Sequence, residues 1–270
     1  MQQWRVEEPQ SIELEGVRRL EVRMVSGRVD VVGRTEDAES GAAHVEVSRL
    51  EGPLTVTLDD DGTLQIVHEK LTWGGIFDWL SGRRTEAVVA VSVPTTCPVR
   101  LGVVSADAVV SEIVAEQTEV KSVSGDVTLD HVRSSVRAKT VSGDLETRRV
   151  TGALDFETVS GELAIAGGRT SRLVAKTVSG DLMLDVDVDS GSKVDLKTVS
   201  GDVTLRVGAE SGFEVDVSST SGRLESAFEA LHVNKKPGRT TMSGRVGAAD
   251  GRLKVTTVSG DVVLLARVPR

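Results

Sequence analysis

One hexapeptide governs what this chain can become. KTVSGD occupies residues 139–144 and returns unchanged at 176–181. Aligned on the Ser-Gly pair, the full set is KSVSGDV (121–127), KTVSGDL (139–145), ETVSGEL (157–163), KTVSGDL (176–182), KTVSGDV (197–203), SSTSGRL (218–224) and TTVSGDV (256–262). From Ser124 to Ser221 the serines advance by 18, 18, 19, 21 and 21 residues. Seven copies cannot be seven active sites, and self-similarity at a near-constant period marks a repeat architecture. A decayed copy, VVSADAV, stands at 103–109; MSGRV lies at 242–246 and VSGRV at 25–29.

Between corners the pattern is that of a strand. In VDLKTVSGDVTLRV (194–207), Val194 and Leu196 alternate with Asp195 and Lys197, and Val203, Leu205 and Val207 alternate with Thr204 and Arg206. Period two and β-branched residues leave little room for helix. A unit of this length cannot bury its apolar face alone, but stacked coils can, each pairing in parallel with its neighbours at ~4.8 Å. The expected fold is all-β: a single-stranded parallel β-solenoid, or β-helix, with a right-handed coil favoured and an irregular β-rich N-terminal part. Roughly eight or nine coils are expected at that spacing.

The letters of the corner follow from that expectation. Gly125, Gly143, Gly161, Gly180, Gly201, Gly222 and Gly260 fit a bend that needs a positive φ. Ser124, Ser142, Ser160, Ser179, Ser200 and Ser259 can satisfy backbone groups left unpaired there. Thr140, Thr158, Thr177 and Thr198 would form a hydroxyl ladder along the stack. A phosphate-binding Walker loop needs a lysine after its glycine and a following helix; a nucleophile elbow needs glycine two residues before the serine. The repeat has neither, so its serines are read as structural, and no catalytic residue is assigned.

Two columns beside the corner pose harder questions. Asp126, Asp144, Glu162, Asp181 and Asp202 should stack as a carboxylate ladder, whose like charges repel by on the order of 1 to 3 kcal/mol. Lys121, Lys139, Lys176 and Lys197, five residues earlier, are expected to interleave with them; a bound divalent cation is the other solution, and no metal or cofactor is assigned. The valines Val123, Val141, Val159, Val178 and Val199 would form an exposed apolar stripe if the strand ran flat. They are expected instead to turn inward at a Thr-Val bend and join the core.

Composition narrows the partners. The core must be Val, Leu, Ile and Ala, because hydrophobic residues are 39% of the chain but aromatics only 3%, with no tyrosine. A formal charge of −9 argues against nucleic acid or anionic lipid as a bulk electrostatic partner. The single Cys97 excludes an intramolecular disulfide. His44, His68, His131 and His232 show no local metal or triad spacing. MQQWRVEEPQ lacks the marks of a signal peptide, and no apolar run is long enough for a transmembrane segment. These features lead to an expectation of a cytoplasmic protein, with envelope association as an alternative.

Residues 1–100 are read as N-terminal coils or a cap, and 101–270 as the regular solenoid. Within the first part, LTVTLDDDGTLQIVH (54–68) reads as two strands around an Asp61-Gly62 turn. KLTWGGIFDWLSGRR (70–84) breaks the pattern and gathers Trp73, Phe77 and Trp79 with Arg83 and Arg84. Such a loop is either a plug over a solenoid end or a contact site for a partner. Solenoid ends expose strand edges, so some cap is required, and self-association through an end is an alternative.

The tandem TVSGD corners and the early VSGRV strand resemble the bacterial putative-adhesin family of β-strand-repeat domains of unknown function. The resemblance is strongest over 103–265. It implies a single-stranded parallel β-solenoid, found in surface proteins and in cell-envelope stress responders, with no enzymatic activity or binding-residue set of its own. The function expected is therefore a non-catalytic scaffold whose partner is a protein or envelope component. The alternative is a carbohydrate-active β-helix enzyme, which would place unique acidic residues on one coil.

Overall fold

The computed structural model describes residues 1–36, 40–68, 85–208 and 211–267, which form 21 strands and no helix. The chain divides into two compact units, Met1–Ser134 and Ser135–Arg270. The sequence boundary at 100/101 falls inside a strand of the first unit.

In the first unit the long strand β3 (Arg19–Arg34) is central. On one side it pairs in parallel with β8 (Val99–Ser111), matching Val29 with Ala108, and β8 carries β9 (Val114–Ser122) and β10 (Val127–Asp130), also in parallel. On the other side β3 pairs in parallel with β6 (Thr63–His68) and β7 (Glu86–Pro94). The strands beyond reverse direction: β5 (Leu54–Leu58) is antiparallel to β6 and β4 (Ala43–Glu51) to β7. Outside these lie β1 (Gln2–Val6) on β5 and β2 (Gln10–Leu14) on β4. The N-terminal part therefore holds both coil strands and a covering of antiparallel strands. Its Asp61-Gly62 turn joins β5 and β6, with Gly62 at φ +82°.

The second unit is built on register. β12 (Leu145–Glu157), β13 (Leu163–Lys176) and β14 (Leu182–Lys197) pair in parallel, Leu145 on Leu163 on Leu182 and Glu157 on Lys176 on Lys197. β15 (Val203–Gly208) continues from Leu182 to Val203. Period-two alternation sends Val194, Leu196, Val203, Leu205 and Val207 into the core, as the sequence requires. Phe156 and Phe213 are the bulkiest buried residues in a core otherwise made mainly of Val, Leu, Ile and Ala.

Beyond β15, stacking ceases to follow chain order. The strands laid on β14 and β15 are not the next ones, β16 (Phe213–Ser219) and β17 (Leu224–Ser226), but the last, β20 (Gly251–Thr257) and β21 (Val262–Arg267). β16 and β17 then pair in parallel on β20 and β21. The order of corner serines in the stack is 160, 179, 200, 259, 221. The intervening chain returns through β18 (Leu231–Lys236) and β19 (Arg239–Val246), with β19 antiparallel to both β16 and β18. MSGRV therefore belongs to an antiparallel strand and makes no coil corner.

Candidate functional site

Each corner is closed by its own side chains and tied to its neighbour. Thr158, Thr177, Thr198 and Thr257 accept the N–H of the glycine three residues on, at 2.9 to 3.1 Å, and Ser219 does the same for Gly222 at 2.7 Å. Thr140 donates to Thr158 at 2.8 Å, one rung of the expected ladder. Ser160, Ser179, Ser200, Ser259 and Ser221 each send both backbone N–H and Oγ–H to a valine carbonyl of the coil beneath. In the first unit Ser124 repeats this toward Val104, and the Ser105 Oγ–H bonds the Val25 carbonyl, so VVSADAV stacks on VSGRV through the same serine bond, here inside the continuous strands β8 and β3. A serine whose hydroxyl is committed to main chain in every coil is a fastener.

The glycines are required for a different reason from the one expected. None of Gly125, Gly143, Gly161, Gly180, Gly201, Gly222 and Gly260 has a φ in the left-handed region. A Cβ on Gly161, Gly180, Gly201, Gly260 or Gly222 would instead lie 1.9 to 2.1 Å from the carbonyl oxygen of the glycine beneath. Close stacking of main chain on main chain excludes any side chain there.

The carboxylates and lysines do not interleave. Asp144 Oδ1 accepts the N–H of Glu162 at 2.9 Å, and the same bond recurs from Asp202 to Asp181, Asp261 to Asp202 and Arg223 to Asp261. Charge-assisted bonds to backbone amides thus hold the ladder. The lysines turn to acids of their own flank. Lys139 and Lys176 both grip Glu157, at 2.5 and 2.9 Å, Lys197 pairs with Asp195 and Lys121 with Glu119. Hydrogen bonds from Lys139 and then Lys176 push the Glu157 carboxyl down to about 2.

The valines are outside. Val141, Val159, Val178, Val199 and Val258 are 46–48% exposed, as is Val123 in the first unit at 47%. The expected bend inward does not occur, because the residue before each valine already takes the inward position, buried at Ser122, Thr140, Thr177, Thr198 and Thr257 and half-buried at Thr158, and alternation carries the valine out. Past the acidic column the outward row of the next strand is mixed, running Glu146, Ala164, Met183, Thr204, Val263 and Glu225 in register, with Met183 50% exposed. The signal for the stripe was in the sequence, since every TVSG copy places valine directly after an inward threonine.

Other reactive groups have structural surroundings. His68 is fully buried; its Nδ1 accepts the Val25 N–H at 3.0 Å, and desolvation pushes its pKa down to about 4. Burial pushes the Cys97 thiol up to about 12, so it is held protonated. A shallow groove in the first unit runs over Val22, Leu101 and Gly102 beside ion pairs of Arg100 with Glu21 and Glu119. Among the described residues, no three His, Cys, Asp or Glu side chains converge to hold a metal ion. Trp73, Phe77, Trp79, Arg83 and Arg84 lie outside the described residues.

Residues 17–265 match the model of the Toastrack DUF4097 family, and the chain belongs to that family, a domain of unknown function. A comparison with curated proteins finds no match. Among solved structures, the chain is similar to a candidate cell adhesion protein of Clostridium sporogenes, at 11% identity and TM-score 0.28, covering 96% of this chain and 100% of that one. It is also similar to a candidate lipid binding protein of Parabacteroides distasonis, at 13% identity and TM-score 0.42, and to a candidate adhesin of the same organism, at 11% and 0.41. Each covers 96% of this chain and 97% of the other. Among the described residues, no helix is long and apolar enough to cross a membrane.

Proposed function

We propose that this Toastrack chain is a non-catalytic, adhesin-like interaction scaffold, a right-handed parallel β-solenoid that acts at the bacterial cell envelope or in its stress response. One observation carries the reading: in the second unit the outward side chains at the corner recur coil after coil. Val141, Val159, Val178, Val199 and Val258 form one row and Asp144, Glu162, Asp181, Asp202 and Asp261 another. A row of repeated groups supplies an extended surface, whereas hydrolysis of a glycan needs a particular pair of carboxyls at one place. The ladder's aspartates Asp144, Asp181, Asp202 and Asp261 are moreover committed to backbone amides of the adjoining coil.

The test has two arms. A photo-crosslinking residue at Ser179, in the native host, should capture a discrete partner, and one at buried Leu196 should capture none. Incubation with a panel of acidic and neutral polysaccharides should release no reducing ends. Sustained release would overturn the reading in favour of a carbohydrate-active enzyme.

A further inference from the structure

The exposed valine row and the acidic row run side by side along the same coils of the second unit, and together they specify a partner. We infer that this edge docks a cationic amphipathic helix of another protein, laid along the stack with its apolar side chains on Val141, Val159, Val178, Val199 and Val258 and its lysines or arginines over the carboxylates. The inference rests on the scaffold reading and names the chemistry of its partner.

Charge selects the occupant. The row Asp144, Glu162, Asp181, Asp202, Asp261 and Arg223 formally carries five negative charges and one positive. Across the valines, the three lysines Lys139, Lys176 and Lys197 pair with two carboxylates, Glu157 and Asp195, leaving one formal positive charge on that side against a net four negative on the other. An anionic membrane surface or an acidic peptide would be repelled along the acidic side. A second copy, turned about an axis parallel to the stack, would bring the acidic row against lysines already engaged by their own carboxylates.

Spacing selects the conformation. Coils repeat at ~4.8 Å, and an α-helix advances ~5.4 Å per turn, so one cation per turn meets one carboxylate per coil. Over four steps the mismatch is only ~2.4 Å, within the reach of a flexible lysine stem. Apolar neighbours at i+3 and i+4 then fall on successive valines.

The whole chain should be titrated with a labelled, amidated 18-residue peptide of leucine and lysine patterned as an amphipathic helix, and with its counterpart carrying glutamate for lysine. The lysine peptide should bind, lose most of its affinity at high salt, and gain helix on binding; the glutamate peptide should not bind. Two triple variants separate the contributions. Asp144→Asn with Asp181→Asn and Asp202→Asn keeps an oxygen for each backbone N–H. Val159→Thr with Val178→Thr and Val199→Thr copies Thr220, which already occupies this column. Each should weaken binding by ~10-fold or more, about 1.4 kcal/mol, with melting little changed. Equal binding of both peptides, absence of binding, or affinity unaffected by both variants would overturn the inference. So would self-association of the chain that is abolished by the threonine variant, because a second copy would then be the occupant. If the peptide fails while Ser179 still captures a partner in the host, the scaffold reading stands and this inference alone is lost.

Discussion

The coils of residues 145–208 and those of residues 213–267 use the same corner but obey different rules of succession. In the first stretch each coil lies on the one before it in the chain; in the second, the last coil slips beneath its predecessor. The bonds are the same in both. Ser259 fastens to Val199, and Ser221 to Val258, just as Ser179 fastens to Val159. The motif thus fixes where a residue sits within a coil and is indifferent to which coil lies below, so succession is decided by the connections and by the antiparallel pair β18 and β19.

The largest effect should come from removing the out-of-order coil. Truncation after Asp250 deletes Leu253, Val255, Val262 and Leu264, all buried, and leaves two parallel edges unpaired. The second unit should lose its cooperative transition in urea, whereas a deletion confined to the exposed end of an ordered stack would only shorten it. Retention of the full transition would show that the two stretches are not bound through this coil.

Gly180→Ala and Gly260→Ala make the comparison position by position. Each Cβ would meet a backbone oxygen at 1.9 Å, so both should cost about 3 kcal/mol or more, and equally, by urea unfolding. Gly191→Ala, at φ +72° with open space around the Cβ, should cost only about 1 kcal/mol. A much milder effect at Gly260 than at Gly180 would mean that the inserted coil is the looser of the two.

Acid should separate the units by a different route. His68 lies in the first unit and is held neutral, with its pKa lowered from 6.5 to about 4. The unfolded chain therefore takes up the proton first. Stability contributed by this group is complete above about pH 6.5 and falls by roughly 3 kcal/mol as pH drops toward 4. Glu157 in the second unit acts lower: its depressed carboxyl contributes stability above about 4.5 that is lost as pH falls toward 2. Unfolding followed against pH should show the first unit weakening earlier, and His68→Asn should flatten that early slope.

The smallest effects belong to the fasteners. Ser179→Ala and Ser259→Ala each remove one hydroxyl bond while leaving the N–H bond to the same carbonyl, and each should cost about 1 kcal/mol or less. The two values should agree within the error of a chemical melt.

Sequence and structure agree where a physical rule has one solution. Alternation around VDLKTVSGDVTLRV gave the inward set, the need to satisfy bent backbone gave the serines, and the Asp61-Gly62 turn fell where its letters placed it. They part where several solutions share one pattern. Glycine suits both a positive φ and a close approach, and only the folded backbone, by its φ at Gly180 and its distance from Gly161, distinguishes them. Lys176 and Asp181 look like partners along the chain, yet Glu157 stands in the lysine's own column one coil away. Corners of identical sequence carry no address, so the position of 251–267 could not be read from them. The stripe at Val178 was missed by assigning a bend where simple alternation continued.

The out-of-order coil also sets a schedule for the growing polypeptide. Asp202 and Asp261, 59 residues apart in sequence, are bonded through the stack, and Arg223 waits 38 residues for the same aspartate. While the chain is synthesised from its N-terminus, the coil of 213–226 emerges with no surface to lie on, and the edge of 197–208 stays open until the final strands arrive. Closing so long a loop is slow, and an unpaired edge in the interval is a template for the wrong neighbour. The cell therefore meets this unit first as a protein with an open slot, and its yield depends on how fast the last seventeen described residues reach it.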